Sequence, residues 1–172
     1  MTRPVVAVVV AGVTGALAIS LVGLALAAEP ATSSGAPAVV VRADDGDLLA
    51  SVPVGRRGFA LSYRNSIYGT PAEDRYTLAS RNRFRLVEVA ADQRAVLEEY
   101  YALPGPSRAA AGDRRNWVSD PARRMVFREL NIAATDLGER TLHVPGHRPV
   151  RLWRLVGDSD PIVVLDIEGN PQ

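Results

Sequence analysis

Twenty-four consecutive residues, Val5 to Ala28, carry no charge, and this run constrains the chain more than any other feature. As a helix it would span about 36 Å at about 1.5 Å per residue, against about 30 Å of bilayer hydrocarbon. A segment so apolar has no polar face to turn to water, which argues against a helix in the core of a soluble domain. Arg3 and the terminal amine precede it, and positive charge on that side favours keeping the N-terminus in the cytoplasm. The remainder is therefore expected on the far side of the membrane, exported or anchored by a single N-terminal helix. Ala25-Leu26-Ala27 before Ala28-Glu29-Pro30 fits a small-residue cleavage site, whereas the run exceeds the roughly 7 to 15 apolar residues of a usual signal peptide. Cleaved signal and uncleaved anchor both stand. The membrane is an expected partner if the segment is retained.

The remaining chain, about 140 residues, is enough for one domain with a proper core. All twenty basic residues are arginine, a bias that looks like a GC-rich bacterial genome. Cleavage after Ala27 would remove only Arg3 of these, leaving nineteen arginines against nineteen acids. A formally neutral domain argues against nucleic acid, which demands a strongly basic face. The absence of cysteine excludes disulfides and thiolate metal sites. No motif implies a cofactor, and none is expected.

Glu29 to Pro37 is small, polar and bounded by proline, and reads as a linker between the segment 1–28 and a domain over 38–169. From Ala38 the sequence breaks into short β-prone runs separated by turn residues, predicting an all-β fold. An antiparallel sandwich or partly open barrel of about eight strands is expected. Asp44-Asp45-Gly46-Asp47 suits a hairpin turn between 38–43 and 48–54. Phe59, Leu61 and Tyr63 alternate with Ala60, Ser62 and Arg64 in the period of two of a half-buried strand. Residues 73–78 and 83–90 predict a second hairpin, with Phe84, Leu86 and Glu88 on one face. The stretch 91–102 reads as a strand in spite of its helix-forming Ala, Leu and Glu. Residues 103–120 form a long loop in which Trp117 and Val118 return to the core. Met125 to Ile132 resumes as a strand or an irregular apolar segment. Further strands are expected at 140–144, 150–156 and 162–167.

Candidate chemistry is sparse. His143 and His147 are four positions apart, but Pro145-Gly146 places them across a turn, with no third ligand nearby in sequence, so no metal site is expected. No Gly-x-Ser-x-Gly is present, and no catalytic residue is assigned. Adjacent carboxylates in Glu73-Asp74 and Glu98-Glu99 would point to opposite faces of a strand, so neither pair alone forms a catalytic dyad. The arginine clusters at 56–57, 81–85, 114–115 and 123–124 invite an anion-binding or membrane-surface reading, with solvated faces balanced by acids as the plainer account. The most unusual constellation is Tyr63-Arg64-Asn65-Ser66-Ile67-Tyr68-Gly69-Thr70-Pro71-Ala72-Glu73. Tyr63, Asn65, Ser66 and Glu73 in it could bind a small ligand or a partner at a strand end, or simply satisfy loop backbone.

The run Phe59-x-Leu61-x-Tyr63-Arg64-Asn65-Ser66-Ile67, then Pro71-x-Glu73-x-x-Tyr76, resembles the signature of the bacterial family catalogued as domain of unknown function eighteen-fifty. Thr141 to Val144, Val150 to Leu152 and Val163 to Leu165 are similar to its closing strands. Asn65 stands where the family usually carries histidine, and its glycine-rich loop is only echoed in Ala102-Leu103-Pro104-Gly105. The resemblance implies a small exported or membrane-anchored β domain, often encoded beside tripartite solute transporters, and makes a transporter subunit a candidate partner. Two functional expectations stand: a binding or accessory domain, or an exported hydrolase using Ser66 or the carboxylates Glu73 and Glu98.

Overall fold

The computed structural model describes residues 35–169. The expected membrane segment Val5 to Ala28 and residues 29–34 of the linker lie outside the described residues. Twelve strands fall into two antiparallel sheets, with almost no helix among the described residues. The expected all-β class is observed; the strand number is larger because several strands are only two residues long.

The first sheet has the order β2-β1-β12-β9, formed by Leu48–Pro53, Ala38–Ala43, Ile162–Glu168 and Glu129–Ala133. The expected first hairpin closes at Gly46, whose φ of 94° suits glycine. Its N–H donates to the Ala43 carbonyl at 3.0 Å, and the Ala43 N–H donates to Asp47 at 2.9 Å. The second sheet runs β11-β10-β3-β4-β5-β7-β6, with β8 (Val126–Phe127) paired to β5. Its centre is β3 (Phe59–Arg64), β4 (Pro71–Ala79) and β5 (Arg83–Ala91). Beside β3 lies β10 (Thr141–His143), then β11 (Val150–Arg151); beyond β5 lie β7 (Trp117–Ser119) and β6 (Ser107–Arg108).

One hydrophobic cluster joins the sheets. Val39, Val41, Val163 and Leu165 enter it from the first, and Phe59, Leu61, Phe84 and Leu142 from the second, all essentially without exposure. The Phe59 ring stacks on Tyr76 with centroids 5.0 Å apart and meets Phe84 edge-on at 5.2 Å, geometries that add about 0.5 to 1.5 kcal/mol per pair beyond burial. The close entry into β3 depends on Gly58, at φ 70°, where an added Cβ would lie 1.8 Å from the Tyr76 carbonyl oxygen.

Three local expectations are corrected. Glu88 does not share the face of Phe84 and Leu86: Arg75 pairs with Glu88 and Tyr76 with Leu86, so Val87 is an extra residue in β5. That bulge shifts the alternation by one and turns Glu88 to the opposite face. The stretch after Ala91 is not a strand but a bend leading into a π-helical turn, Val96–Tyr100, which buries Val96 and Leu97; its helix-forming composition decides the outcome. The strand expected over 150–156 stops at Arg151, where a 3-10 turn, Leu152–Arg154, buries Leu152 beneath the sheet edge.

Candidate functional site

Strand register sets the polar face of the second sheet. Across neighbouring strands Arg151 pairs with Thr141, Thr141 with Ser62, Ser62 with Glu73, and Glu73 with Ala90. One row of side chains thus crosses the face turned away from the inter-sheet core. Displaced by two residues, a second row holds His143, Ala60, Arg75 and Glu88.

Glu73 sits in the first row with no exposure at all. A buried carboxylate is tolerable only when it is paired and hydrogen-bonded, and here the arginines supply both. Arg75 Nε donates to its Oε1 at 2.7 Å, Arg114 Nη2 to the same oxygen at 2.6 Å, and Arg114 Nε to Oε2 at 3.0 Å. Burial pushes the Glu73 pKa up, but the Arg114 and Arg75 hydrogen bonds outweigh it and hold the carboxyl below its ordinary value. Arg75 also reaches Glu88 at 2.6 Å and grips Asp113 through two nitrogens, at 2.9 and 2.6 Å. These bonds fasten the loop carrying Asp113, Arg114 and Arg115 over β4. The sequence cluster Arg114-Arg115 is therefore not a purely solvated pair.

Ser62 and His143 meet in the same region, with Oγ and Nε2 2.8 Å apart. Burial, then the neighbouring Arg114 charge, push the imidazole below its ordinary pKa, which favours the neutral ring. Two cavities adjoin this pair. One, of about 430 Å³, is lined by Ser62, Thr141, Arg64, Arg115, Arg151 and Arg154, with Trp153 and Glu139 at its walls. The other, of about 700 Å³, is lined by both histidines, Arg57, Arg75, Arg114 and Glu88 among others. Among the described residues no group of three or more His, Cys, Asp or Glu is placed to hold a metal ion.

A separate polar group lies on the inner face of β3 and β4. Tyr63 is buried there, its hydroxyl against that of Tyr101, with the Arg140 guanidinium 4.6 Å from its ring centroid. Asp74, paired in register with Leu61, is half-buried and makes no side-chain hydrogen bond among the described residues. Burial pushes its pKa up to about 6, with the Arg140 charge opposing.

The residues singled out in the sequence are dispersed. Tyr63 turns to the inner face and also borders the smaller cavity. Asn65 is buried and caps the following turn, its Oδ1 accepting from the Ile67 and Tyr68 N–H groups at 3.0 Å each. Ser66 is exposed in that turn and makes no contact with histidine among the side-chain hydrogen bonds of the described residues. Glu73 is the centre of the buried ion network. Glu98 pairs with Arg94, and Glu99 accepts from the Tyr68 hydroxyl at 2.6 Å. Ser62 and His143 stand 81 residues apart, and no sequence motif joins them; the period of two places Ser62 on the polar face, but only strand pairing brings His143 beside it.

Comparison of the chain with family models gives no match, and comparisons with curated proteins and with solved structures give none either.

Proposed function

We propose that this chain is an extracytoplasmic accessory domain, exported or held at the cytoplasmic membrane by Val5 to Ala28, that binds a partner or small ligand and serves solute uptake beside a transporter. The observation that carries the binding reading is the arginine-lined face of the second sheet, where two cavities adjoin the Ser62 and His143 pair. Ser62, Arg64 and Arg75 stand on the central strands β3 and β4, which hold such groups more firmly than loops do. The location rests on the apolar N-terminal run, and the transporter association rests on the resemblance to domain of unknown function eighteen-fifty. Affinity capture of the full chain from bacterial membranes tests this reading. Recovery of a transporter subunit is the expected result; recovery of no stable partner removes the accessory role. Mass spectrometry of the mature N-terminus separates an uncut anchor from cleavage after Ala27.

A second reading is an exported serine hydrolase, and the specific observation in its favour is the 2.8 Å contact between Ser62 Oγ and His143 Nε2. A nucleophile beside a neutral base meets the first geometric demand of such chemistry. Against it, no side-chain hydrogen bond joins a carboxylate to His143 among the described residues, and the nearest buried acid, Glu73, is engaged by arginines. Covalent labelling by a fluorophosphonate, lost in Ser62→Ala and in His143→Ala, would establish the hydrolase and displace the accessory reading. Labelling that survives Ser62→Ala would exclude this dyad.

A further inference from the structure

We infer that the smaller cavity is a binding site for a dissolved small oxyanion, a solute bearing a carboxylate or phosphate group. This deepens the binding reading above by assigning it a ligand class and a place. The cavity's charge is one-sided: four arginines line it, against the single acid Glu139. Arg64 is already committed to Glu139, through contacts of 3.0 and 2.9 Å. Arg151 and Arg154 have no carboxylate partner among the described residues, and Arg154 instead lies 4.7 Å from the Trp153 ring centroid.

Arg115 supplies an independent sign. Its Nε is buried without a hydrogen-bond acceptor, held 3.9 Å from Glu73 Oε2, too far for a bond, while Nη1 makes only a 3.4 Å contact with Asp92. Nε is sealed from the cavity, whereas Nη2 of this cavity-lining arginine makes no hydrogen bond among the described residues and is not buried, which leaves it as the nitrogen to receive an oxyanion. The hydroxyls of Ser62 and Thr141 lie in the same cross-strand row as Arg151, but Thr141 donates to the Glu139 carbonyl at 3.0 Å and Ser62 is bonded to His143, so the donors left for a ligand are the arginines. Guanidinium forks match the planar or tetrahedral oxygens of carboxylate and phosphate. The volume of about 430 Å³ is within the range of small-molecule sites, and Trp153 adds a flat apolar wall for the rest of the solute.

The test is titration of the full chain in detergent micelles with succinate and with inorganic phosphate at constant ionic strength, read by calorimetry and by tryptophan emission. Saturable binding of at least one, with a dissociation constant below about 1 mM, is expected. Arg151→Gln with Arg154→Gln should weaken it by about tenfold or more, because each charge-assisted bond carries at least that factor. Both side chains are exposed, so the fold is retained. The charge-matched control Arg56→Gln with Arg128→Gln, at exposed positions outside the cavity lining, should bind as the parent does. No saturable binding of either anion, or equal loss in the control, overturns the assignment. Should partner capture persist in that event, the accessory role stands and only the anion site falls.

Discussion

Replacing Asp74 by asparagine should stabilise the domain at neutral and alkaline pH and have little effect near pH 4. Asp74 has no hydrogen-bond partner for its carboxylate among the described residues, and burial raises its pKa from 3.8 to about 6 in the folded chain. A carboxyl that holds its proton more tightly when folded contributes stability that is fully present below the unfolded pKa. That contribution is lost as the pH rises through about 6. A shift of about two pKa units corresponds to about 3 kcal/mol. Partial solvent access at this half-buried position reduces it, so the gain for Asp74→Asn at pH 8 is set at about 1 to 3 kcal/mol.

The opposite sign applies to Glu73 and Asp113, whose pKa values are lowered by their arginine partners. Their contribution is present above the unfolded carboxylate range and is lost as the pH falls through the folded values. The parent therefore loses stability on both sides of the carboxylate range, and Asp74→Asn should reduce the decline on the alkaline side, to which Asp166, also raised by burial, contributes as well. Urea denaturation followed by the emission of Trp117 and Trp153 measures this, with a midpoint shift of about 1 M at pH 8 for a urea slope of about 1 to 3 kcal/mol per molar. Destabilisation of Asp74→Asn at pH 8, or a difference independent of pH, would refute the reasoning. Destabilisation would mean that attraction between Asp74 and Arg140 exceeds the burial penalty, and a pH-independent difference that the two cancel.

Three further substitutions probe the backbone around the site. Gly58→Ala should abolish folding or destabilise by more than about 3 kcal/mol, since the new Cβ meets the Tyr76 carbonyl oxygen at 1.8 Å and φ is 70°; circular dichroism and thermal melting report it. Asn65→Ala should cost about 1 to 2 kcal/mol through the two N–H groups left without an acceptor. Ser66→Ala, at an exposed position, should stay within about 0.5 kcal/mol of the parent, and the contrast between these neighbours is the measurement.

Elements with their own local signal are legible from residue patterns. The alternation of Phe59, Leu61 and Tyr63 is β3 with its buried face intact, and Asp45-Gly46 closes the hairpin it predicts. Legibility ends where one residue alters the phase or where partners are remote. Val87 adds no distinctive side chain, yet its insertion decides that Glu88 faces Arg75 instead of Phe84. Glu73 stands out as an acid opening a strand, but its arginine partner at 114 is 41 residues away. Ser66 stands out over Ser62 because it adjoins Asn65 in sequence, whereas strand pairing brings Ser62, not Ser66, to His143.

The buried network around Glu73 does more than neutralise charge, and its removal separates two roles. Glu73→Gln leaves Arg75, Arg114 and Arg115 beside a neutral amide, and removing one member of a buried ion pair costs about 3 to 5 kcal/mol. If the network served only general stability, hydrogen exchange would accelerate uniformly over the second sheet. The geometry predicts otherwise, because β3, β4 and β5 retain their ladders and aromatic core, whereas the loop carrying Asp113 to Arg115 is fastened to β4 largely through Arg75 and Glu73. Amides over residues 109–116 should therefore exchange selectively faster in Glu73→Gln. Since Arg114 and Arg115 line the two cavities, loosening that loop should also weaken anion binding without unfolding the sheet. Selective exchange with unchanged binding would mean that Arg151 and Arg154 form the site unaided, and uniform exchange would refute the loop-fastening role.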